Sequence, residues 1–317
     1  METETHIPAG FRSEFVYANG ISFHVLHNGS PYQGSPIKDD RKPLLCLHGF
    51  PEFWISWEGI MKELGEEYFM LVPDQRRYNK TDAPKGSIHY AAKNLVADAI
   101  TLANLFFGKR KFTLAGLDFG ASIAYAAVFS FPQLIDKFII ANGAHPICLQ
   151  EALIDNPLQA EASQYFHTVR AENAGKASAA DDFALSFEGM RQHSIESWMT
   201  EEVKDRFRKA WGNAERLQAM FNWYKSSPIV VPHLGQPLPD APLYGATREK
   251  FRVSVPHLLI WGMNDTALLP DVKKSIHEFC DDLTVKEVQD ADHWILHTHA
   301  EVVEKYMREY MREYMDK

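Results

Sequence analysis

Residues 111–131 read KFTLAGLDFGASIAYAAVFSF, a short apolar stretch running into Gly116-Leu117-Asp118-Phe119-Gly120 and then a run of small residues. Glycines two before and two after Asp118 permit a sharp turn from strand to helix. Such a turn lifts the central side chain above a sheet, at a helix N-terminus. This arrangement commits the chain to a buried strand followed at once by a helix, the unit from which parallel sheets are built.

The surrounding pattern repeats that unit. Residues 14–27 alternate around Asn19-Gly20 and predict a β-hairpin. Apolar runs at 43–48, 68–73, 111–115 and 137–141 predict strands buried on both faces, with helices at 54–65, 90–107 and 121–131 between them. From 147 to about 250 the pattern changes to helical stretches (150–173, 179–193, 200–221) without a buried strand, leaving through Pro228, Pro232, Pro237, Pro239 and Pro242. A strand at 255–261, a helix near 270–280, a strand at 283–288 and a last helix at 299–315 complete the reading. The expected fold class is therefore α/β: a mostly parallel central sheet with helices on both faces, interrupted by an inserted helical cap. The boundaries fall at 1–146 for the first part of the core, 147–250 for the cap or lid, and 251–317 for the rest of the core.

Aspartate at the centre of the elbow, where serine is usual, changes the chemistry. A carboxylate is a weak nucleophile suited to a strained or well-activated sp³ carbon, and it leaves an alkyl-enzyme ester that water must then hydrolyse. Hydrolysis needs an oxyanion hole and a base. His48-Gly49-Phe50-Pro51-Glu52 follows the first central strand, so the backbone N–H groups of Phe50 and Phe119 are candidate oxyanion donors. Asp265 follows the strand at 255–261 and His293 follows the last strand; nucleophile, acid, histidine is the chain order that such an elbow expects. His293 is assigned as the base and Asp265 as its orienting acid, with Asp292 the alternative acid. His293, His297 and His299 also invite a metal reading, but no acidic partner has zincin spacing, and no metal or other cofactor is expected. In the last helix Tyr306, Tyr310 and Tyr314 stand four apart, either as an interaction stripe or as one packed face.

Taken together, HGFPEFW at 48–54, VPDQRRYNKTDAP at 72–84, the aspartate elbow, NGAHP at 142–146 and the last two triad members resemble the epoxide hydrolase branch of the α/β-hydrolase superfamily, over nearly the whole chain. The resemblance implies that the cap contributes two tyrosines that hold and protonate an epoxide oxygen. Tyr224 matches one of them and Tyr165 is the candidate for the other. His48, Pro51, Trp54 and Trp294 are expected around the substrate, with Phe50 and Phe119 adding apolar wall. The sequence departs from the family pattern at Leu117 (commonly His), Phe119 (usually Trp) and Arg77 (in place of Gly). The implied reaction opens an epoxide to a vicinal diol. The alternatives are a haloalkane dehalogenase with the same nucleophile, for which Phe119 lacks an indole donor, and a ligand-binding protein that kept the fold without turnover.

Net charge of -9 with scattered Lys and Arg argues against a nucleic-acid surface. The opening METETHIPAG lacks a basic stretch followed by an apolar core, and no apolar run reaches membrane-spanning length. Cys46, Cys148 and Cys280, odd in number and far apart, read as reduced packed thiols. The expectation is a cytoplasmic protein, monomer or homodimer, whose partners are a small hydrophobic epoxide and water, with no nucleic acid and no membrane.

Overall fold

The computed structural model describes residues 7–195 and 198–313, so Tyr314 and the first six residues lie outside the described residues. Strands β1 (Arg12–Ala18) and β2 (Ile21–His27) form the hairpin, turned at Asn19-Gly20 with both residues at positive φ. There follow β3 (Lys42–Leu47), α1 (Glu58–Leu64), β4 (Tyr68–Pro73), α2 (Ala92–Phe107), β5 (Phe112–Leu117), α3 (Phe119–Ser130) and β6 (Ile135–Ala141). These strands, with β7 (His257–Gly262) and β8 (Leu283–Val288), make one eight-stranded sheet in the order β1-β2-β4-β3-β5-β6-β7-β8. Pairings within the hairpin and from β2 to β4 are antiparallel; the rest are parallel.

β4 lies to one side of β3 and β5 to the other. Right-handed crossovers therefore send α1 to one face of the sheet and α2 and α3 to the opposite face. The reversal opens a crevice at the carboxyl ends of β3 and β5, where open α/β sheets place their ligands. Register aligns the strand ends there: Leu47 pairs with Gly116, Leu117 with Ala141, Ala141 with Ile260 and Gly262 with Val288.

Between β6 and β7 the chain forms α4 (Pro146–Asp155), α5 (Pro157–Ala162), α6 (Tyr165–Val169), α7 (Ala174–Arg191), α8 (Glu201–Trp211) and α9 (Ala214–Ser226). The helix expected at 150–173 is thus three helices. Pro157 forces Asn156 into an extended conformation, and the Asn156 side chain caps the next helix at Leu158 N–H. The helix expected at 200–221 is two: Gly212 adopts positive φ and Asn213 caps α9 at Arg216 N–H. α7 is interrupted by non-helical backbone at 180–183. The helix expected near 270–280 is a pair of 3₁₀ turns, Pro270–Lys273 and Ile276–Glu278. Val272, Ile276 and Phe279 are buried at spacings of four and three, so short turns satisfy a period that mimics an α-helix.

After β8 come α10 (Ile295–Thr298) and α11 (Ala300–Glu313), which packs against α1. Tyr310 is buried in the core and Tyr306, partly buried, lies beneath the Lys286 ammonium, so these two members of the stripe face the core. Cys46 and Cys148 are buried, Cys280 is half-buried, and none forms a disulfide. Among the described residues no helix is long and apolar enough to cross a membrane.

The elbow depends on close backbone approach. A Cβ on Gly120 would lie 2.2 Å from the carbonyl oxygen of Leu47 and 2.5 Å from that of His48; one on Gly116 would lie 2.9 Å from Ala121 backbone atoms. Neither neighbour is a flexible side chain, so the strain cannot be shed cheaply. Gly120→Ala is expected to lower folding stability by about 1–3 kcal/mol, the usual range for overpacking, measured as a shift in denaturation midpoint.

Candidate active site

Asp118 sits at the tip of the elbow with φ 49°, ψ -119°, just before α3. Its Oδ1 accepts the Phe50 N–H at 2.8 Å, and the Phe119 N–H also hydrogen-bonds the carboxylate. These are the two donors that the sequence places near Asp118. Burial raises the Asp118 pKa, while the charge of His293 and the two N–H groups pull it back. Gly49 clears the way, since a Cβ there would stand 2.6 Å from the Asp118 Cβ.

His293 presents Nε2 to Asp118 Oδ2 at 3.8 Å and Nδ1 to Asp265 Oδ2 at 2.8 Å. With Nδ1–H donating to Asp265, the free edge of the imidazole is the one facing Asp118. Asp265 is buried and its Oδ1 accepts the N–H groups of Ala267 and Leu268, so its geometry is fixed from its own loop. Asp292 turns elsewhere, accepting from Trp294 N–H and Ile195 N–H; Asp265 is the acid that meets the histidine. Burial opposes charge on His293, but the Asp265 carboxylate, its hydrogen bond and the charges of Asp118 and Glu52 outweigh it and hold the pKa at about 9.

Tyr165 on α6 and Tyr224 on α9 face the same cavity, their hydroxyls hydrogen-bonded to each other and their ring centroids 5.9 Å apart. Burial, followed by each other's presence and the Asp118 charge, raises the pKa of Tyr224. Burial and then Asp118 raise that of Tyr165, so both stay protonated. Arg170, which sequence reading did not single out, fixes the pair: its guanidinium donates to the carbonyls of Tyr224 (3.0 Å) and Ile229 (2.7 Å). Phe119 turns its ring against Tyr224 and Trp223.

The cavity holds about 280 Å³. Pro51 and Trp294 line it as expected, with Phe50, Phe221 and Met190. His48 and Trp54 do not reach it. His48 is fully buried, its Nε2 accepting Gln75 N–H (3.0 Å) and its Nδ1–H donating to the Gly49 carbonyl (2.9 Å); burial lowers its pKa, so the ring is a neutral strut. Trp54 is buried behind the loop, with its backbone N–H on Asp74 and the Arg206 guanidinium over its ring. The H-G-F-P and P-D-Q segments therefore brace one another, and they deliver to the cavity the Phe50 N–H together with the Phe50 and Pro51 side chains.

Other residues acquire roles that only contacts reveal. Asn142 donates Nδ2–H to the carbonyls of Asp292 (2.7 Å) and His293 (3.1 Å), while its Oδ1 accepts Gly262 N–H (2.7 Å). Glu52, buried, pairs with His297, whose ring stacks on Trp198. His299 pairs with Asp290, so His293, His297 and His299 each meet a different carboxylate rather than one another. Arg77 takes φ 86° and sends its buried guanidinium to the carbonyls of Trp211 and Arg216, where a glycine could only have turned the chain. Leu117 is buried at the end of β5.

A family profile described as alpha/beta hydrolase fold matches residues 42–300. The AB hydrolase superfamily protein YfhM of Bacillus subtilis (strain 168) is 29% identical over 95% of this chain and 98% of its own length. Epoxide hydrolase 4 of Homo sapiens is 26% identical, covering 90% of this chain and 75% of its own. A solved structure described among novel epoxide hydrolases from metagenomes of hot environments superposes with a TM-score of 0.79 at 29% identity, covering 95% of this chain and 98% of that one. The Bacillus megaterium epoxide hydrolase in complex with an inhibitor gives a TM-score of 0.79 at 21% identity, over 94% of this chain and all of that one, a likeness of fold.

If the Asp265 carboxylate is what sustains the charge on His293, Asp265→Asn must let burial prevail. The His293 pKa, followed by NMR of the ring protons, is expected to fall from about 9 by at least one unit. A value unmoved by the substitution would reject this account of the site.

Proposed function

The chain belongs to the α/β-hydrolase fold family, and from that premise we propose that it opens epoxides with water through a covalent ester on Asp118. The observation that carries the reading is the convergence on one cavity of a carboxylate held by two N–H donors, a histidine–aspartate pair behind it, and a hydrogen-bonded tyrosine pair on the helices opposite. The epoxide hydrolases among its relatives support the substrate class.

In the first step Asp118 Oδ2 attacks one ring carbon. The C–O bond breaks as the oxygen takes a proton from the Tyr165–Tyr224 pair, because an unassisted alkoxide is a poor leaving group. The ester carbonyl, Oδ1, remains against the Phe50 N–H, with the Phe119 N–H as the second donor to the carboxyl group. Esterification also removes the Asp118 charge, one of the forces holding a proton on His293. The His293 pKa therefore falls below about 9 once the ester forms, and the neutral imidazole can accept a proton from water. The proton that His293 gives up balances the one lost by the tyrosine pair and restores it. The hydroxide then adds to the ester carbonyl, and collapse of the tetrahedral adduct passes its hydroxyl proton to the departing alkoxide, releasing the diol and leaving the Asp118 carboxylate beside protonated His293. The acid limb of activity follows from these signs: falling pH protonates Asp118 before the first step and His293 before the second.

In this reading the helical segment 147–250 acts as a lid over the core formed by 1–146 and 251–317. The cavity volume of about 280 Å³ suits a compact aryl or short alkyl epoxide. The indole N–H of Trp294 is engaged by the Met190 carbonyl and that of Trp223 by the Arg76 carbonyl. This occupancy of the donors bordering the site favours an epoxide over a haloalkane, whose leaving halide needs free donors.

Single turnover with styrene oxide tests the proposal, with diol followed by chromatography and the protein by intact mass. Wild-type protein is expected to release diol, Asp118→Ala to be inert, and His293→Gln to retain one equivalent of substrate mass. Tyr224→Phe is expected to slow ring opening by roughly 10²-fold or more, the scale of a lost general acid. Diol formation by Asp118→Ala, or halide release from haloalkanes in place of diol, would overturn it.

A further inference from the structure

Three hydrogen bonds join residues 190–195, at the end of α7 and beyond it, to the loops that carry Asp265 and His293. Trp294 Nε1–H donates to the Met190 carbonyl (2.9 Å), His193 Nδ1 meets Thr266 Oγ1 (2.9 Å), and Ile195 N–H donates to Asp292 Oδ2 (2.7 Å). The other oxygen of Asp292, Oδ1, accepts Trp294 N–H at 2.9 Å. Asp292 is completely buried. One carboxylate thus spans the residue after His293 and a backbone donor of the helical segment. The main chain of His293 is held from the core side by Asn142, and through Asp292 from the lid side.

The tyrosine-bearing half of the segment is fixed to the core by other means. Arg77 donates to carbonyls of α8 and α9, Trp211 Nε1–H to the Pro51 carbonyl (2.8 Å) and Trp223 Nε1–H to the Arg76 carbonyl (3.2 Å). None of these contacts involves the histidine loop.

We propose that Asp292 is a positioning residue that makes the placement of His293 depend on docking of residues 190–195. With both oxygens engaged, Asp292 fixes the backbone on either side of the base. When the 190–195 edge leaves, the carboxylate loses one partner and the histidine loop loses its lid-side clamp. Ring opening passes through this clamp only by way of the His293 charge that helps keep Asp118 ionised, because the carboxylate itself is held by Phe50 and Phe119 and the tyrosines by Arg170. Ester hydrolysis passes through it directly, because water loses its proton to His293. The second half-reaction is therefore the one that requires a docked edge, and the diol forms only while the lid is down. This inference rests on the two-step ester reading.

The test is rapid-quench single turnover with styrene oxide on Asp292→Ala and on Asp292→Asn, which is isosteric but leaves only one acceptor oxygen for two N–H donors. Thermal unfolding of each variant is recorded in parallel. Ester formation is expected within about twofold of wild type and ester hydrolysis slower by at least about tenfold, the scale on which a misplaced catalytic group acts. The adduct then accumulates in intact mass, with the Asn variant between wild type and Ala. Equal losses in both half-reactions, tracking a loss of thermal stability, would make Asp292 an ordinary structural cap and overturn the proposal. Hydrolysis at the wild-type rate would overturn it as well. A His293→Gln protein that never carries an adduct removes the ester reading itself, and this inference with it, and is distinguishable because it needs no change at Asp292.

Discussion

Three loops of the candidate site, those of Asp118, Asp265 and His293, converge on the buried Asn142. The residue sits in the left-handed region, φ 36°, at the end of β6, between the strand that leads to Asp118 and the one that leads to Asp265. Its backbone N–H donates to Ile260 and its carbonyl accepts Asp118 N–H; its side chain accepts from Gly262 and donates to Asp292 and His293. Each of its polar groups is thereby used. A buried amide with all its partners specifies one geometry, and the same amide with one partner missing costs about 1–3 kcal/mol. The elbow, the acid loop and the histidine loop come from sequence positions far apart, and this one residue, through its backbone carbonyl and its side chain together, sets them in register.

Upon that frame the charges settle into a defined order. Two carboxylates, Asp118 and Asp265, flank one imidazole, and Glu52 adds a third negative charge within electrostatic reach. Taking these groups out of water penalises each charge, and the penalty is offset only because the charges are close and alternate in sign. In the proposed reaction this order of charges links the two steps: consuming the Asp118 charge by esterification would lower the proton affinity of His293, so that the base becomes available when there is an ester for water to attack.

The helical segment is joined to the core along two edges of different character. One is dense with arginine and tryptophan contacts to the loop after β4 and to the Pro51 loop. It carries Tyr224, whose carbonyl, through Arg170, ties α9 to α6 and hence to Tyr165. The other edge touches the acid loop through Gln159 and His193 and the histidine loop through Met190 and Ile195. Arg77 illustrates how a departure from a family pattern acquires meaning: a buried guanidinium, its pKa brought down to about 9 by burial and by Arg216, stands where a glycine would only have turned the chain, and it spends its donors on the helical segment.

Much of this architecture was legible in the linear chain, because strands buried on both faces, glycine-bracketed elbows and proline breaks are local consequences of sterics and burial. The apolar runs named the strands of the parallel sheet, Gly116 and Gly120 marked the turn, and the order Asp118, Asp265, His293 named three residues that the fold brings within hydrogen-bonding or ion-pair range. The periodicity at 150–173 and 270–280 was legible too, yet it did not distinguish one long helix from several short ones. That choice fell to Asn156 before Pro157 and to 3₁₀ turns burying the same residues. What the sequence could not express was who meets whom across the fold. His48 and Trp54 belong to a motif beside the nucleophile, and only packing shows that they brace the loop without touching the cavity. Asp292 is adjacent to His293 in the chain but faces the helical segment, because neighbouring side chains on a loop diverge and a backbone donor 97 positions away satisfies it better. Local sterics are written in consecutive residues; hydrogen-bond partners are chosen by distance in space, and that only the tertiary structure decides.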